Sequence, residues 1–208
     1  VFEIFFCYPG VWALINYRFA HFFYERGFKL IARAISGLTR IITAVDINPG
    51  AQIGSGVFFD HATGLVIGET AIIGDNCLIY QGVTLGGVSL EHGKRHPTLQ
   101  NGVVVGAGAK VLGNITIGEN SKIGANSVVV KDVEPNCTAV GVPARILGSC
   151  ESDPLARNKI PDISQELIKY LIKRIEILEE CICSGRKDIA EMDEDLNKFY
   201  EEYLKSLK

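Results

Sequence analysis

The sequence has no excess of one charge and no long basic stretch. Its 208 residues include 21 lysines and arginines and 24 aspartates and glutamates, for a formal net charge of -3. A surface that binds nucleic acid through phosphate groups needs clustered positive charge. The composition therefore points away from nucleic-acid binding and towards small-molecule chemistry. The 47% of hydrophobic residues can fill one substantial core.

The sequence also has no regular cysteine framework, and its apolar start does not resemble a leader segment. Its cysteines stand at positions 7, 77, 137, 150, 181 and 183, with no CxxC pair among them. Neither a metal knuckle nor a disulfide scaffold is expected from such scattered positions. The apolar start contains Glu3, Pro9 and Gly10 and no basic leader, so no secretion signal or membrane span is expected. We therefore expect reduced thiols and a cytoplasmic protein.

What dominates the middle of the sequence is a six-residue repeat of aliphatic residues, with one phenylalanine. Its members are Ile47, Ile53 and Phe59; then Ile67, Ile73, Ile79 and Leu85; then Val105, Val111, Ile117, Ile123 and Val129. A period of six fits neither a helix nor a single strand, but it fits a short strand followed by a turn. Three such units predict a triangular coil of eighteen residues whose aliphatic side chains stack inside a prism.

The repeat is interrupted twice, and both interruptions carry histidine. The step from Phe59 to Ile67 is eight residues, and the step from Leu85 to Val105 is twenty, which predicts a loop over 88–101. Departures from a regular repeat are where a flat-walled prism could build a pocket.

Helical spacing marks both ends of the chain. Two amphipathic helices are predicted within residues 1–44, the repeat domain spans 45–148, and a linker with C-terminal helices covers 149–208. The tail has a heptad pattern that fits either a coiled coil or a helical hairpin around Gly185.

The residues at the interruptions suit proton transfer from an alcohol. An imidazole can take such a proton near neutral pH, and a carboxylate on its other nitrogen fixes the tautomer. Asp46 lies fifteen residues before His61, close to one coil, and could orient it. Asp60 would point away from His61 and could face an ammonium group, while Arg95 and His96 offer donors for a carboxylate.

Several segments carry a family resemblance. They are Val-Asp-Ile-Asn-Pro-Gly (45–50), Asp-His-Ala-Thr-Gly-Leu-Val-Ile-Gly-Glu-Thr (60–70), Gln-Gly-Val-Thr-Leu-Gly-Gly (81–87), Lys-Arg-His-Pro (94–97) and Gly-Val-Pro-Ala-Arg (141–145). Together and in this order they resemble the serine acetyltransferases, which are hexapeptide-repeat acyltransferases. The resemblance extends over about residues 1–148 and implies a left-handed parallel β-helix.

The resemblance also implies an activity and a site. An acetyl group would pass directly from acetyl-CoA to the hydroxyl of L-serine, giving O-acetylserine for cysteine biosynthesis, with no metal. His61 would be the base and Asp46 its orienting partner. The other implied residues are Asp60 for the serine ammonium, Arg95 and His96 for its carboxylate, Glu69 near the site, and Gly87, Ala107 and Ala125 along the CoA wall.

Partners follow from the same resemblance. It implies a homotrimer or a dimer of trimers, with L-cysteine as an inhibitor. Relatives that dock into cysteine synthase end in isoleucine, whereas this sequence ends Leu207-Lys208, so docking is not expected. An acidic Asp-Pro-Ala segment that the family carries before the first helix is not in this sequence.

Three other functions remain open at this point. A metal enzyme like the gamma-class carbonic anhydrases would use His61, His92 and His96 as ligands, but would have no need of Asp60 or Arg95. An O-acetyltransferase for a sugar or antibiotic hydroxyl would need His61 but no carboxylate clamp. A scaffold without catalysis would leave both residues unexplained.

Overall fold

Two helices precede the repeats in the computed structural model, which describes residues 7–89 and 93–147. Helix α1 spans Pro9–Glu25 and α2 spans Lys29–Thr43. Pro9 stands at the first helical position, where its missing N–H costs no hydrogen bond. The helix prediction is confirmed. Neither helix has the length and apolar character that a membrane span requires within the described part.

Fifteen short strands within the described residues form three walls, which we call A, B and C. Wall A holds β1 (Asp46–Ile47), β4 (Val66–Ile67), β7 (Thr84–Gly86), β10 (Lys110–Leu112) and β13 (Val128–Val129). Wall B holds β2 (Gln52–Ile53), β5 (Ile72–Ile73), β8 (Thr98–Leu99) and β11 (Thr116–Ile117). Wall C holds β3 (Phe58–Phe59), β6 (Leu78–Ile79), β9 (Val104–Val105), β12 (Lys122–Ile123), β14 (Thr138–Gly141) and β15 (Ala144–Leu147).

The chain visits the walls in the order A, B, C, and each strand pairs in parallel with the strand one coil away. Ile47 lies beside Ile67, and Ile67 lies beside Leu85. The repeat residues point inward and are buried, from Ile79 at 0% exposure to Ile53 at 6%. The final strand is different, since β15 runs antiparallel to β14 and closes the wall.

One predicted boundary was wrong. Leu99 is buried in β8 and occupies a regular repeat position six residues before Val105. The interruption of the repeat therefore runs from 87 to 97, shorter than the predicted 88–101. The sequence concealed this strand because Pro97 and Gln100 flank it without the usual glycine.

The helices pack against the prism through small and polar residues. The buried positions of α2 are Ala32, Thr39 and Thr43, and both hydroxyls donate to carbonyl groups of their own helix. Large apolar side chains lie on the opposite face, with Leu30, Ile41 and Ile42 at 84%, 82% and 78% exposure. The predicted apolar stripe exists, but it faces away from the prism.

Tyr17 and Arg18 of α1 attach this helix to the first coil. The buried Tyr17 hydroxyl donates to the Ala51 carbonyl at 2.6 Å, and Arg18 donates to the carbonyls of Ile53 and Gly54. Burial raises the pKa of Tyr17 to about 12. These bonds fix the height of α1 along the prism.

Two further expectations concern regions at or beyond the described residues. The C-terminal heptads and His92 lie outside them. Cys7 and Cys77 are free thiols, whereas Cys137 is disulfide-bonded. The expectation of reduced thiols is therefore wrong at Cys137, and the scattered spacing gave no signal for this bond.

Candidate active site

The site residues predicted from sequence lie at two edges of the prism. We call the turns between walls C and A (60–65, 80–83, 106–109 and 124–127) the His61 edge. The turns between walls A and B (48–51, 68–71, 87–89 with 93–97, and 113–115) form the Arg95 edge. Both edges border wall A, one on each side.

His61 is exposed on the first turn of its edge, which contains the eight-residue step. Its backbone φ is 43°, and that of Ala62 is 56°, so two consecutive non-glycine residues are left-handed. Such conformations cost energy and persist only where neighbours hold them. Here Gly64 donates to the Ala44 carbonyl at 2.8 Å and Gly82 donates to that of Thr63 at 2.9 Å. The loop is thus clamped between two coils while the imidazole projects into solvent.

Asp46 lies on the neighbouring coil, as the spacing predicted. It is the first residue of β1, and its N–H donates to the Leu65 carbonyl within the His61 loop at 2.9 Å. Its Oδ2 lies 3.3 Å from Nη1 of Arg40 on α2. No hydrogen bond joins Asp46 to His61 within residues 7–89 and 93–147. Asp60 is half-buried beside His61 in sequence.

The Arg95 edge contains an open cleft of about 490 Å³. Tyr24, Gly50, Glu69, Thr70, Lys94 and Arg95 contribute to its lining. Nη2 of Arg95 lies 3.2 Å from Oε2 of Glu69. Glu69 and Arg95, which the family resemblance implied for the site, therefore lie side by side in this cleft.

His96 lies beside this cleft but is 8% exposed and is not among the lining residues. Its ring packs so closely on Gly68 that a Cβ there would lie 1.9 Å from the ring. Nδ1 accepts from the Thr70 N–H at 3.2 Å, so a neutral ring carries its proton on Nε2. Burial, together with Arg95 and Lys94, lowers the pKa of His96.

Thr70 and Lys94 hold the turn that carries Arg95 and His96. The Thr70 hydroxyl accepts from the backbone N–H of Arg95 at 3.0 Å and of His96 at 3.2 Å. Lys94 donates to the Thr70 carbonyl at 2.8 Å, and burial lowers the pKa of Lys94. Sequence reasoning missed both roles, although Thr70 and Lys94 stand inside the motifs that carry the resemblance.

The three small residues predicted for the CoA wall divide between the edges. Ala107 and Ala125 lie on successive coils of the His61 edge, where a Cβ on Gly106 would lie 2.7 Å from the Ala125 nitrogen. Gly87 is exposed on the Arg95 edge, where a Cβ added to it would lie 3.2 Å from the Arg95 carbonyl oxygen. Successive coils therefore stack closely along the His61 edge, where Gly106, Ala107 and Ala125 have small or no side chains.

Two of the histidines required by the metal-enzyme alternative are separated. His61 and His96 lie on opposite sides of wall A, and His92 is outside the described residues. Across 7–89 and 93–147, no group of three or more potential metal ligands occurs.

Comparison with known proteins gives the same family as the motifs. Residues 96–131 match the family model described as bacterial transferase hexapeptide (six repeats). A serine acetyltransferase from Synechococcus elongatus is 55% identical over 180 residues, which are 86% of this chain and 74% of the relative. The chain belongs to the serine acetyltransferase family.

Solved serine acetyltransferases have the same fold. One in complex with cysteine is 44% identical, with a TM-score of 0.67 over 70% of this chain and 61% of that one. One from Neisseria gonorrhoeae in complex with serine is 48% identical, with a TM-score of 0.67 over 69% of this chain and 58% of that one. The chain thus spans about three-fifths of these solved serine acetyltransferases. The predicted left-handed parallel β-helix and acyltransferase class are confirmed.

Proposed function

We propose that this serine acetyltransferase chain transfers the acetyl group of acetyl-CoA to the hydroxyl of L-serine, with His61 as general base. One observation carries the assignment of residues. An exposed histidine on a strained loop and a half-buried arginine–glutamate pair lie on the two edges that border the same wall. The products, O-acetylserine and CoA, would place the chain in cysteine biosynthesis.

The reaction needs one proton shuttle. His61 accepts the hydroxyl proton as the serine oxygen bonds to the acetyl carbonyl carbon. The carbon–sulfur bond then breaks, and the departing sulfur takes the proton from His61. Both substrates are bound together, so proximity supplies much of the rate and no acyl-enzyme is needed.

Asp46 can orient His61 without breaking its ion pair with Arg40. A carboxylate has two oxygens, and Arg40 contacts only Oδ2. The Arg40–Asp46 pair is also exposed, with side chains at 66% and 42%, so its contribution to stability is small. Oδ1 of Asp46 is therefore the atom that would accept a hydrogen bond from the His61 ring.

Serine would be held by charge on both sides of its α-carbon. Arg95 can present a planar fork to the carboxylate, and the Nε2–H of His96 is a second donor. Asp60, half-buried on the His61 edge, suits the ammonium group. Glu69 keeps the guanidinium in the cleft.

These residues meet if three copies surround a three-fold axis with wall A facing it. Each His61 edge then adjoins the Arg95 edge of the next copy, and three such contacts close a ring. The CoA arm would lie in the same seam, along Ala107 and Ala125 of one copy and Gly87 of the next. A single chain leaves the two halves separated by wall A.

The outward apolar face of α2 supports a second contact, between two trimers. Leu30, Leu38, Ile41 and Ile42 form a continuous apolar face on this helix, and all are exposed. Patches of this kind mark interaction sites on soluble proteins. We assign it to the same face of a second trimer.

Two regulatory and cellular features follow from the substrate. L-cysteine differs from serine by a thiol in place of the hydroxyl, so it should compete for the same groups; a solved relative is in complex with cysteine. A cytoplasmic location is proposed because acetyl-CoA and serine are metabolites of that compartment.

The test is release of CoA thiol from acetyl-CoA with a panel of acceptors. The panel contains L-serine, serinol, a sugar alcohol and an aminoglycoside. We expect turnover with L-serine at least tenfold above every other acceptor. Faster turnover with the sugar or the aminoglycoside would contradict the serine assignment.

A further inference from the structure

Tyr24 belongs to a chain of contacts that reaches Arg95 from helix α1. Its hydroxyl donates to Oε1 of Glu69 at 3.0 Å, and Oε2 of Glu69 lies 3.2 Å from Nη2 of Arg95. The two oxygens of one carboxylate are thus held by two different partners. All three side chains line the same cleft.

We propose that Tyr24 is a positioning residue for serine binding, acting through Glu69 on the Arg95 guanidinium. The inference rests on the proposed function, because it takes Arg95 as the group that meets the serine carboxylate. A carboxylate bonded at only one oxygen can rotate about its side-chain torsions. With the second oxygen bonded to Tyr24, its plane and therefore the direction of the guanidinium are fixed.

The geometry around Gly50 supports this role. A Cβ at Gly50 would lie 3.0 Å from the Tyr24 hydroxyl oxygen and 3.1 Å from Cγ of Glu69. The tyrosine and glutamate therefore pack side by side over a residue without a side chain. This close packing joins α1 to the Arg95 edge.

The charge state of Tyr24 suits a donor. Burial and the neighbouring Glu69 carboxylate raise the pKa of the Tyr24 phenol. The phenol therefore stays protonated at neutral pH and donates to the carboxylate. Phenylalanine would keep the ring and remove only this donor.

The experiment compares Tyr24→Phe with Tyr8→Phe. Tyr8 packs its ring against Phe58, with centroids 6.3 Å apart, and its hydroxyl makes no hydrogen bond to the described residues. Loss of one hydrogen bond to a charged group predicts a rise in the serine KM of about 5- to 20-fold for Tyr24→Phe. The kcat and the acetyl-CoA KM should stay within about twofold, and Tyr8→Phe should change none of the three.

The effect of Tyr24→Phe is also measured in the Glu69→Gln variant, which distinguishes a positioning role of Tyr24 from simple packing. In Glu69→Gln the link to Arg95 is already weakened, so adding Tyr24→Phe should raise the serine KM by less than about twofold. Gly50→Ala should raise it to an intermediate degree, because it displaces both side chains. An unchanged serine KM in Tyr24→Phe, or full additivity with Glu69→Gln, would overturn the inference. A parent enzyme without activity on serine would instead overturn the proposed function.

Discussion

His61 combines a fixed backbone with a free side chain. The left-handed loop around it is clamped by hydrogen bonds from Gly64 and Gly82, while the ring is exposed. A base placed in this way keeps its position without using the ring for packing. Replacing the ring should therefore affect chemistry and leave the fold intact.

We expect His61→Ala to lower kcat on serine by about 100- to 10,000-fold, the usual contribution of a general base. The melting temperature should stay within about 2 °C, because an exposed side chain contributes little to stability. His21→Gln is the control, because His21 lies on α1 and its Nδ1 bonds to the Pro49 carbonyl of the Arg95 edge, on the other side of wall A from His61. A kcat within tenfold of the parent would remove His61 from the mechanism.

Arg95→Ala should act on binding. We expect the serine KM to rise about 10- to 100-fold with a smaller change in kcat, as for loss of a charge-assisted contact. Serinol, which has no carboxylate, should be turned over with the same kcat/KM by parent and variant. If the variant lost serinol turnover in proportion, Arg95 would not be a carboxylate clamp.

At the residue scale, the motifs predicted the site residues, and the structure adds the contacts that hold them. His61 and Arg95 stand at departures from the repeat, where the sequence pattern can point to them, whereas Glu69 follows the regular repeat residue Ile67 and was predicted only through the family motif. Tyr24 carried no signal, because its position on α1 relates to Glu69 only after the helix docks on the prism.

The helix α1 depends on Tyr17 for its attachment to the first coil. The folded state binds the phenolic proton more tightly than the unfolded state, since the pKa of Tyr17 is raised from 10.0 to about 12. The resulting stabilisation is present below pH 10 and is lost as the pH rises towards 12. Its size is at most about 2–3 kcal/mol.

Tyr17→Phe should therefore lose part of the alkaline dependence of stability. We expect the parent to lose more unfolding free energy than the variant between pH 10 and 12 in urea titrations. At pH 7 the variant should be less stable by about 1–2 kcal/mol, because the Ala51 carbonyl loses its donor. Parallel pH curves for the two proteins would contradict this role.

Individual elements were predictable to different degrees. The inward strands followed directly from the six-residue period, because stacking of Ile67 on Leu85 and its equivalents sets the register. Helix α2 was predictable as a helix, but not its orientation, since Ala32, Thr39 and Thr43 are buried while Leu38 and Ile41 are exposed. An apolar stripe in the sequence predicts that one face of a helix will be buried, but it does not show whether the prism or another chain buries it.

The outward face of α2 makes a prediction for the assembly. Ile41→Glu should convert a dimer of trimers into trimers in sedimentation velocity, because a charge cannot be buried in an apolar contact without large cost. Turnover per chain should change by less than about twofold. Lys122→Glu, an exposed charge change on wall C, should leave the sedimentation coefficient as it was. Trimers in the parent enzyme would contradict the assignment of this face.

At the scale of the whole molecule, the residues predicted for one site lie in two separate groups on a single chain. One group is on the His61 edge and the other is on the Arg95 edge. The linear order of His61, Glu69 and Arg95 conceals that wall A separates His61 from Glu69 and Arg95. This distribution over the two edges supports the proposal that a second copy completes each site. The central claim is therefore that each site takes His61 from one copy and Arg95 from the next.

Complementation between two variants with lowered kcat/KM tests this claim most directly. His61→Ala and Arg95→Ala chains are co-expressed in equal amounts, and kcat/KM for serine is measured on the mixed trimers. Random mixing leaves about one quarter of the sites with both groups intact, so activity should reach about a quarter of the parent value. A mixture of His61→Ala with Asp60→Ala is the control, because both changes lie on the same edge and no site is restored. Activity in the first mixture no greater than the mean of the separate variants would contradict a shared site.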